Sequence, residues 1–149
     1  MDLRNYYVAN SFATFDEQPL SQAFIESWVS SFNPSSPHQL FIAEASGRLL
    51  GFASSQTYRA HPAFAQTVET SVYVDPNAGR RGVGSALYAR LFEALQGHKL
   101  HRAVVGIALP NEASVRLHEK FGYTKVGVFS EYASKNGKYI SSQWMERPL

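Results

Sequence analysis

Cysteine is absent from this 149-residue chain. That excludes disulfides, thiolate metal sites and a covalent cysteine intermediate. Excess charge of one sign is scarce. Fourteen Lys and Arg face twelve Asp and Glu, leaving a formal +2. With no long basic run, this excess does not point to nucleic acid. Long apolar runs are missing too. No stretch approaches the roughly 18 apolar residues that a spanning helix needs. The start, MDLRNYYVAN, lacks the apolar h-region of a secretory signal. Repeats and low-complexity tracts are also lacking. What is present is 44% hydrophobic and 17% charged residues, the balance of a folded domain. The length suits one domain, residues 1–149, around a single core. The expectation is a soluble, cytoplasmic protein without nucleic-acid or membrane partners.

Periodicity orders the elements. Met1 to Ser11 suits a short helix, and Pro19 opens a helical pattern with Leu20, Phe24, Trp28 and Phe32 four apart. Gln39 to Ala45 and Leu49 to Tyr58 read as a hairpin around Ser46-Gly47-Arg48. An extended segment, Phe64 to Val74, ends at Pro76. A helix follows over Gly82 to Gln96, with Val83, Leu87, Leu91 and Leu95 four apart. Then come a strand (Arg102 to Leu109), a helix (Asn111 to Phe121) and a final hairpin turning at Asn136-Gly137. The order predicts an α+β (α/β) fold. Helices flank a mixed, mostly antiparallel sheet with one parallel strand–helix–strand crossover.

The segment from Val74 to Leu87 joins a β-branched strand directly to an amphipathic helix. Its first helical N–H groups lack intrahelical partners and carry the positive end of the dipole. Gly82 and Gly84 are expected to let a ligand approach the backbone, and Arg80 and Arg81 add charge. This suits a pyrophosphate. A P-loop needs Gly-Lys-Ser/Thr, but the chain has Gly84-Ser85-Ala86. A dinucleotide fingerprint needs a third glycine where Leu87 stands. In isolation the segment suits equally well a glycine-containing helix start with two solvated arginines.

Val72-Tyr73-Val74-Asp75-Pro76 followed by Arg81-Gly82-Val83-Gly84 resembles the acyl-CoA motif of the GNAT N-acetyltransferase superfamily. Asn111 to Tyr123 (NEASVRLHEKFGY) resembles its second signature, with His118 where most members carry tyrosine. Ala13-Thr14-Phe15-Asp16, Val68 to Val74, Ser114 to Glu119 and Lys135-Asn136-Gly137-Lys138-Tyr139 narrow the resemblance to the phosphinothricin and methionine sulfone acetyltransferase branch. Two departures stand out. Gly79 occupies the place where the loop usually begins with Gln or Arg, and arginine sits at 80 instead. The first strand of the family and part of its first helix have no counterpart before Leu3. An edge strand is therefore expected to be missing.

The resemblance implies transfer of acetyl from acetyl-CoA, as co-substrate, to the amino group of a small amino-acid-like acceptor. The pyrophosphate would lie on Arg80, Arg81, Gly82, Val83, Gly84 and Ser85. The pantetheine arm would bond the backbone of Val72, Tyr73 and Val74 like an added strand, with Asn111 and Ser114 on its other side. Thr14, Phe15, Arg59, Ala60, His61, Thr70, Ser71 and Lys135 are the implied acceptor contacts. A homodimer is also implied. Without cysteine, direct attack by the amine is favoured over a ping-pong route.

Glu69 is the candidate base. Strand alternation sets Glu69, Ser71 and Tyr73 on one face and Val68, Thr70, Val72 and Val74 on the other. Burial there would raise the carboxyl pKa to a useful value. The competing reading is a solvated residue on a half-exposed strand. His118 lies seven positions after Asn111, so both can share one helix face. It would relay a proton or protonate the leaving thiolate. A purely structural histidine is the alternative, and for Lys135 a solvated hairpin lysine. His118-Glu119 lacks a zincin partner, so no metal is expected. Two further functions compete: acetylation of another amine, such as a peptide N-terminus or polyamine, and non-catalytic acyl-CoA binding.

Overall fold

A computed structural model describes residues 3–78 and 82–149. In chain order the elements are α1 (Leu3–Asn10), α2 (Gln22–Ser30), β1 (Leu40–Ala45), β2 (Arg48–Thr57), β3 (Thr67–Val74), α3 (Val83–Leu95), β4 (Arg102–Ala108), α4 (Glu112–Lys120), β5 (Thr124–Lys135) and β6 (Lys138–Pro148). Short 3-10 turns at Pro62–Phe64 and Pro76–Ala78 fall where proline interrupts the extended pattern. No helix among the described residues is long and apolar enough to cross a membrane.

The strands form one six-stranded sheet in the order β1-β2-β3-β4-β6-β5. Neighbours are antiparallel except β3 and β4, which run parallel through the α3 crossover. β1 forms one edge. Among the described residues only α1 and α2 precede it.

The sheet separates two layers. On one face Ala53, Val68, Ala103, Val105, Ile107 and Met145 pack against Leu87, Tyr88, Leu91, Phe92 and Leu95 of α3. These are the Leu87/Leu91/Leu95 positions that the helical spacing predicts, widened by two aromatics. The stripe fills a core rather than a narrow seam. On the other face Phe52 and Tyr73, directly opposite across β2 and β3, stack with ring centroids 5.1 Å apart. Trp28 of α2 meets Phe52 at 5.5 Å and Tyr7 of α1 meets Tyr73 at 5.0 Å.

Two details differ from the sequence reading. Helix α2 does not bury Phe24, which is 51% exposed. The helix touches the sheet through Trp28, so the face lies along Ile25 and Trp28 instead. Gly84 is buried, and a Cβ there would lie 3.1 Å from Leu117 Cδ2 and 3.5 Å from Val74 Cγ2. Its missing side chain lets α3 pack on β3 and α4, a packing role that the sequence reading did not give it.

The turn that follows β3 at Pro76–Ala78 is fixed by Asp75. Its carboxylate accepts from the Asn77 backbone N–H at 2.9 Å and pairs with the Arg48 guanidinium. The Asn77 N–H and Arg48 hold this carboxyl below its ordinary pKa.

Candidate active site

β3 and β4 pair only at Thr67 with Arg102, Val68 with Ala103 and Glu69 with Val104. Past Glu69 each strand stays paired with its outer neighbour, β3 with β2 as far as Val74 and β4 with β6 as far as Ala108. The two parallel strands therefore fork. The gap is a cavity of about 240 Å³ bordered by Thr70 to Tyr73 on one prong and Val105 to Ala108 on the other. Backbone N–H and C=O groups that no adjacent strand takes up face this gap.

Glu69 is the last paired residue, at the vertex of the fork, and its side chain shares a face with Ser71 and Tyr73. It is half-buried, and desolvation pushes its carboxyl above the ordinary value. Such a carboxylate accepts a proton more readily near neutral pH. Ala13, Thr14 and Phe15 wall the same space, together with Tyr132, Ser142 and Trp144. The Tyr73 hydroxyl donates to Ala13 O at 3.0 Å, and burial lifts its pKa to about 12, so it stays a neutral donor.

On the helix side the cavity meets Asn111, Ser114 and His118. Asn111 caps α4, its Oδ1 accepting from Ser114 N at 3.1 Å. His118 is 1% exposed. Its Nδ1 lies 2.7 Å from Ser114 O, and a carbonyl only accepts, so Nδ1 carries the proton. Nε2 then accepts from the Tyr88 hydroxyl at 2.7 Å. Burial depresses the His118 pKa, which favours this neutral tautomer. Both ring nitrogens are thus engaged. The Thr70 hydroxyl belongs to the same buried cluster, 2.6 Å from Tyr123 Oη.

The start of α3 differs from those of α2 and α4. Ser21 caps α2 and Asn111 caps α4 through side-chain oxygens, but Gly82 caps α3 with no side-chain hydrogen bond. Gly82 has φ +73°, the left-handed conformation that favours glycine. Among the described residues no side chain caps the first N–H groups of α3, which suits an anion such as a pyrophosphate. Lys120 Nζ donates to Ser85 Oγ at 3.0 Å, bringing a cation to this turn.

The structure brings Thr14, Phe15, Glu69, Ser71, Val72, Tyr73, Asn111, Ser114 and His118 to one cavity. Thr70 borders it, but its hydroxyl is committed to the buried cluster. Val74, Gly82, Val83, Gly84 and Ser85 lie beyond the cavity, along the end of β3 and the start of α3. Arg80 and Arg81 fall outside the described residues. Arg59, Ala60 and His61 do not line the cavity. The Arg59 guanidinium rests over Tyr58 and Phe64 at 5.2 and 5.7 Å, and His61 Nδ1 accepts from Ala63 N. Lys135 is absent from the lining too, because its ammonium is turned into the protein.

Sequence reasoning missed Trp144, Tyr132 and Lys120. Trp144 had a signal in Gly106, a lone glycine within a strand. A Cβ at Gly106 would come within 2.9 Å of the Trp144 ring, so the glycine makes room for the indole. Tyr132 lies within an irregularity between Phe129 and Ala133, with Glu131 at φ 50°. Among the described residues no group of three or more His, Cys, Asp or Glu could hold a metal ion.

The pattern of the acetyltransferase (GNAT) family matches residues 2–123. The chain is 49% identical over 150 residues to the phosphinothricin N-acetyltransferase of Streptomyces coelicolor, covering 99% of this chain and 88% of that one. It is 30% identical over 145 residues to the L-methionine sulfoximine/L-methionine sulfone acetyltransferase of Pseudomonas paraeruginosa, covering 97% and 84%. Among solved structures, the GNAT superfamily phosphinothricin acetyltransferase from Sinorhizobium meliloti in complex with AcCoA has a TM-score of 0.91 and 26% identity. That match covers 99% of this chain and 80% of the other.

Proposed function

Because the chain belongs to the acetyltransferase (GNAT) family, we propose that it moves acetyl from acetyl-CoA to the amino group of a small amino-acid-like acceptor. Phosphinothricin, methionine sulfoximine and methionine sulfone are the acceptors of choice. The observation that carries this reading is Glu69 at the vertex of the fork, with helix termini on one side and the Ala13–Phe15 wall on the other.

In this reading the uncapped start of α3 takes the pyrophosphate through backbone N–H groups at Gly82, Val83, Gly84 and Ser85, with Lys120 beside them. Arg80 and Arg81 add charge. The backbone of Val72, Tyr73 and Val74 holds the pantetheine arm in place of a missing strand partner, and the Asn111 amide nitrogen and Ser114 approach it from α4. Glu69 removes a proton from the acceptor ammonium. The amine nitrogen bonds to the thioester carbonyl carbon while a backbone N–H of β3 steadies the oxygen as it gains charge. The carbon–sulfur bond breaks, the attacking nitrogen sheds its second proton to become the amide, and the thiolate takes up that proton to leave as free thiol. His118, held neutral with both nitrogens occupied, braces the α4 wall; it is not the proton acceptor. Ser71, Thr14 and Phe15 meet the acceptor, and Arg59 and His61 remain an outer loop.

A cytoplasmic location goes with this reading, as a chain without cysteine needs no oxidising compartment. So does a homodimer built on exposed apolar residues of β5, of which Val126 is 63% and Phe129 58% exposed. Sedimentation showing only monomer at micromolar concentration would reject the dimer.

Incubation with acetyl-CoA and methionine sulfone or phosphinothricin, followed by free thiol, tests the activity. Thiol release that depends on these acceptors is the expected result. Turnover only with peptide or polyamine amines, or acetyl-CoA binding without transfer, would overturn the assignment.

A further inference from the structure

Lys135 ends β5, and its side chain is almost wholly enclosed, at 1% exposure. Its Nζ donates to three backbone carbonyls, Val8 O, Ser11 O and Thr14 O, each at 2.8 Å. An ammonium has three protons, so the set is complete. No donor remains for a substrate, which removes the direct-contact role that the sequence suggests. Desolvation draws the ammonium pKa down, and the carboxylates of Asp16 and Glu17 oppose that shift.

The three carbonyls belong to one stretch of chain. Val8 lies in the last turn of α1, where carbonyls lack helical partners and a cation is favoured. From Ser11 to Leu20 the chain has no helix or strand to hold it, yet Ala13, Thr14 and Phe15 wall the cavity that contains Glu69. Further tethers act on this stretch, two of them near the cavity wall. Tyr73 Oη donates to Ala13 O, and Asn136 N donates to Glu17 Oε1 at 2.7 Å.

We propose that Lys135 is a positioning residue for acceptor recognition: its saturated ammonium fixes Ala13–Phe15 as the acceptor-side wall of the fork. This rests on the acetyltransferase reading above. The acetyl-CoA side of the fork has separate supports, in the starts of α3 and α4. The clamp therefore acts on acceptor affinity and leaves acetyl-CoA affinity alone. Arginine does not replace it, because a planar guanidinium cannot direct donors at three carbonyls converging on one point.

The test is Lys135→Met and Lys135→Arg in the full chain, with KM measured separately for methionine sulfone and acetyl-CoA. Lys135→Met is expected to raise acceptor KM at least about tenfold, with acetyl-CoA KM within about twofold. Lys135→Arg is expected not to restore it. Unchanged acceptor KM, or an equal rise in both constants, would overturn the proposal. Should Lys135→Met not fold, Glu17→Ala removes the exposed tether to Asn136 and a carboxylate that favours the Lys135 ammonium. A rise of about threefold in acceptor KM alone is then expected, and no change would overturn the clamp. Chymotryptic cleavage at Phe12 and Phe15 needs no acceptor. Faster cleavage in Lys135→Met than in wild type supports the clamp even if wild type acetylates none of these amines, and equal rates refute it.

Discussion

The two sides of the fork are built by different means. In the proposed reading the acetyl-CoA side consists mainly of backbone: the unpaired edge of β3, the start of α3 without a side-chain cap and the Asn111-capped start of α4. Each part is a contiguous stretch of chain. The acceptor side consists mainly of side chains from distant places. Thr14 follows α1, Tyr132 comes from an irregular point of β5 and Trp144 from β6, with Lys135 binding the first of these to the last hairpin. A backbone site can be kept while the sequence around it varies, whereas a side-chain site changes with each residue. One fold can thus keep one acyl donor and admit many amines.

Substitutions on either side should separate along this line. The largest effect is expected for Glu69→Gln, which serves both sides. Its kcat should fall by about a hundredfold or more, the usual scale for a general base, as steady-state assays would show. Gly84→Val is next. Its side chain would press on Leu117 and Val74, costing about 1–3 kcal/mol of stability. Denaturant melts should show that loss, and acetyl-CoA KM should rise while acceptor KM holds. His118→Leu leaves the Tyr88 hydroxyl without its acceptor, at a cost of about 1–3 kcal/mol. Its kcat should drop by less than about tenfold; a fall as large as that of Glu69→Gln would return His118 to the proton-transfer step. Arg59→Ala should be the mildest, changing acceptor KM by less than about threefold, because Arg59 rests on Tyr58 and Phe64 outside the cavity.

The same contrast explains what the sequence made legible. The order of elements and the crossover through α3 could be read, because each rests on local periodicity and caps. Glu69 and Ser71 could be placed on one face by alternation. The fork itself could not be seen, since it depends on β2 and β6 drawing two strands apart. The packing role of Gly84 could not be read either, because a glycine needed for helix packing looks, in sequence, like one needed for a ligand. Lys135 was misread for a related reason. Its carbonyl partners lie more than a hundred residues away along the chain, and carbonyls leave no trace in residue identity.

The pH dependence of kcat/KM for methionine sulfone, in wild type and in Glu69→Gln, tests the central claim most directly. In the fold the Glu69 carboxyl titrates above its ordinary value, so it is protonated and idle in acid and becomes a base as pH rises through that value. Wild-type kcat/KM should climb through this raised pKa and then level off, because the enzyme itself deprotonates the bound ammonium. In Glu69→Gln the plateau should vanish. The rate should instead rise about tenfold per pH unit through neutrality, following the free amine in solution. Superimposable profiles for the two proteins would contradict the account.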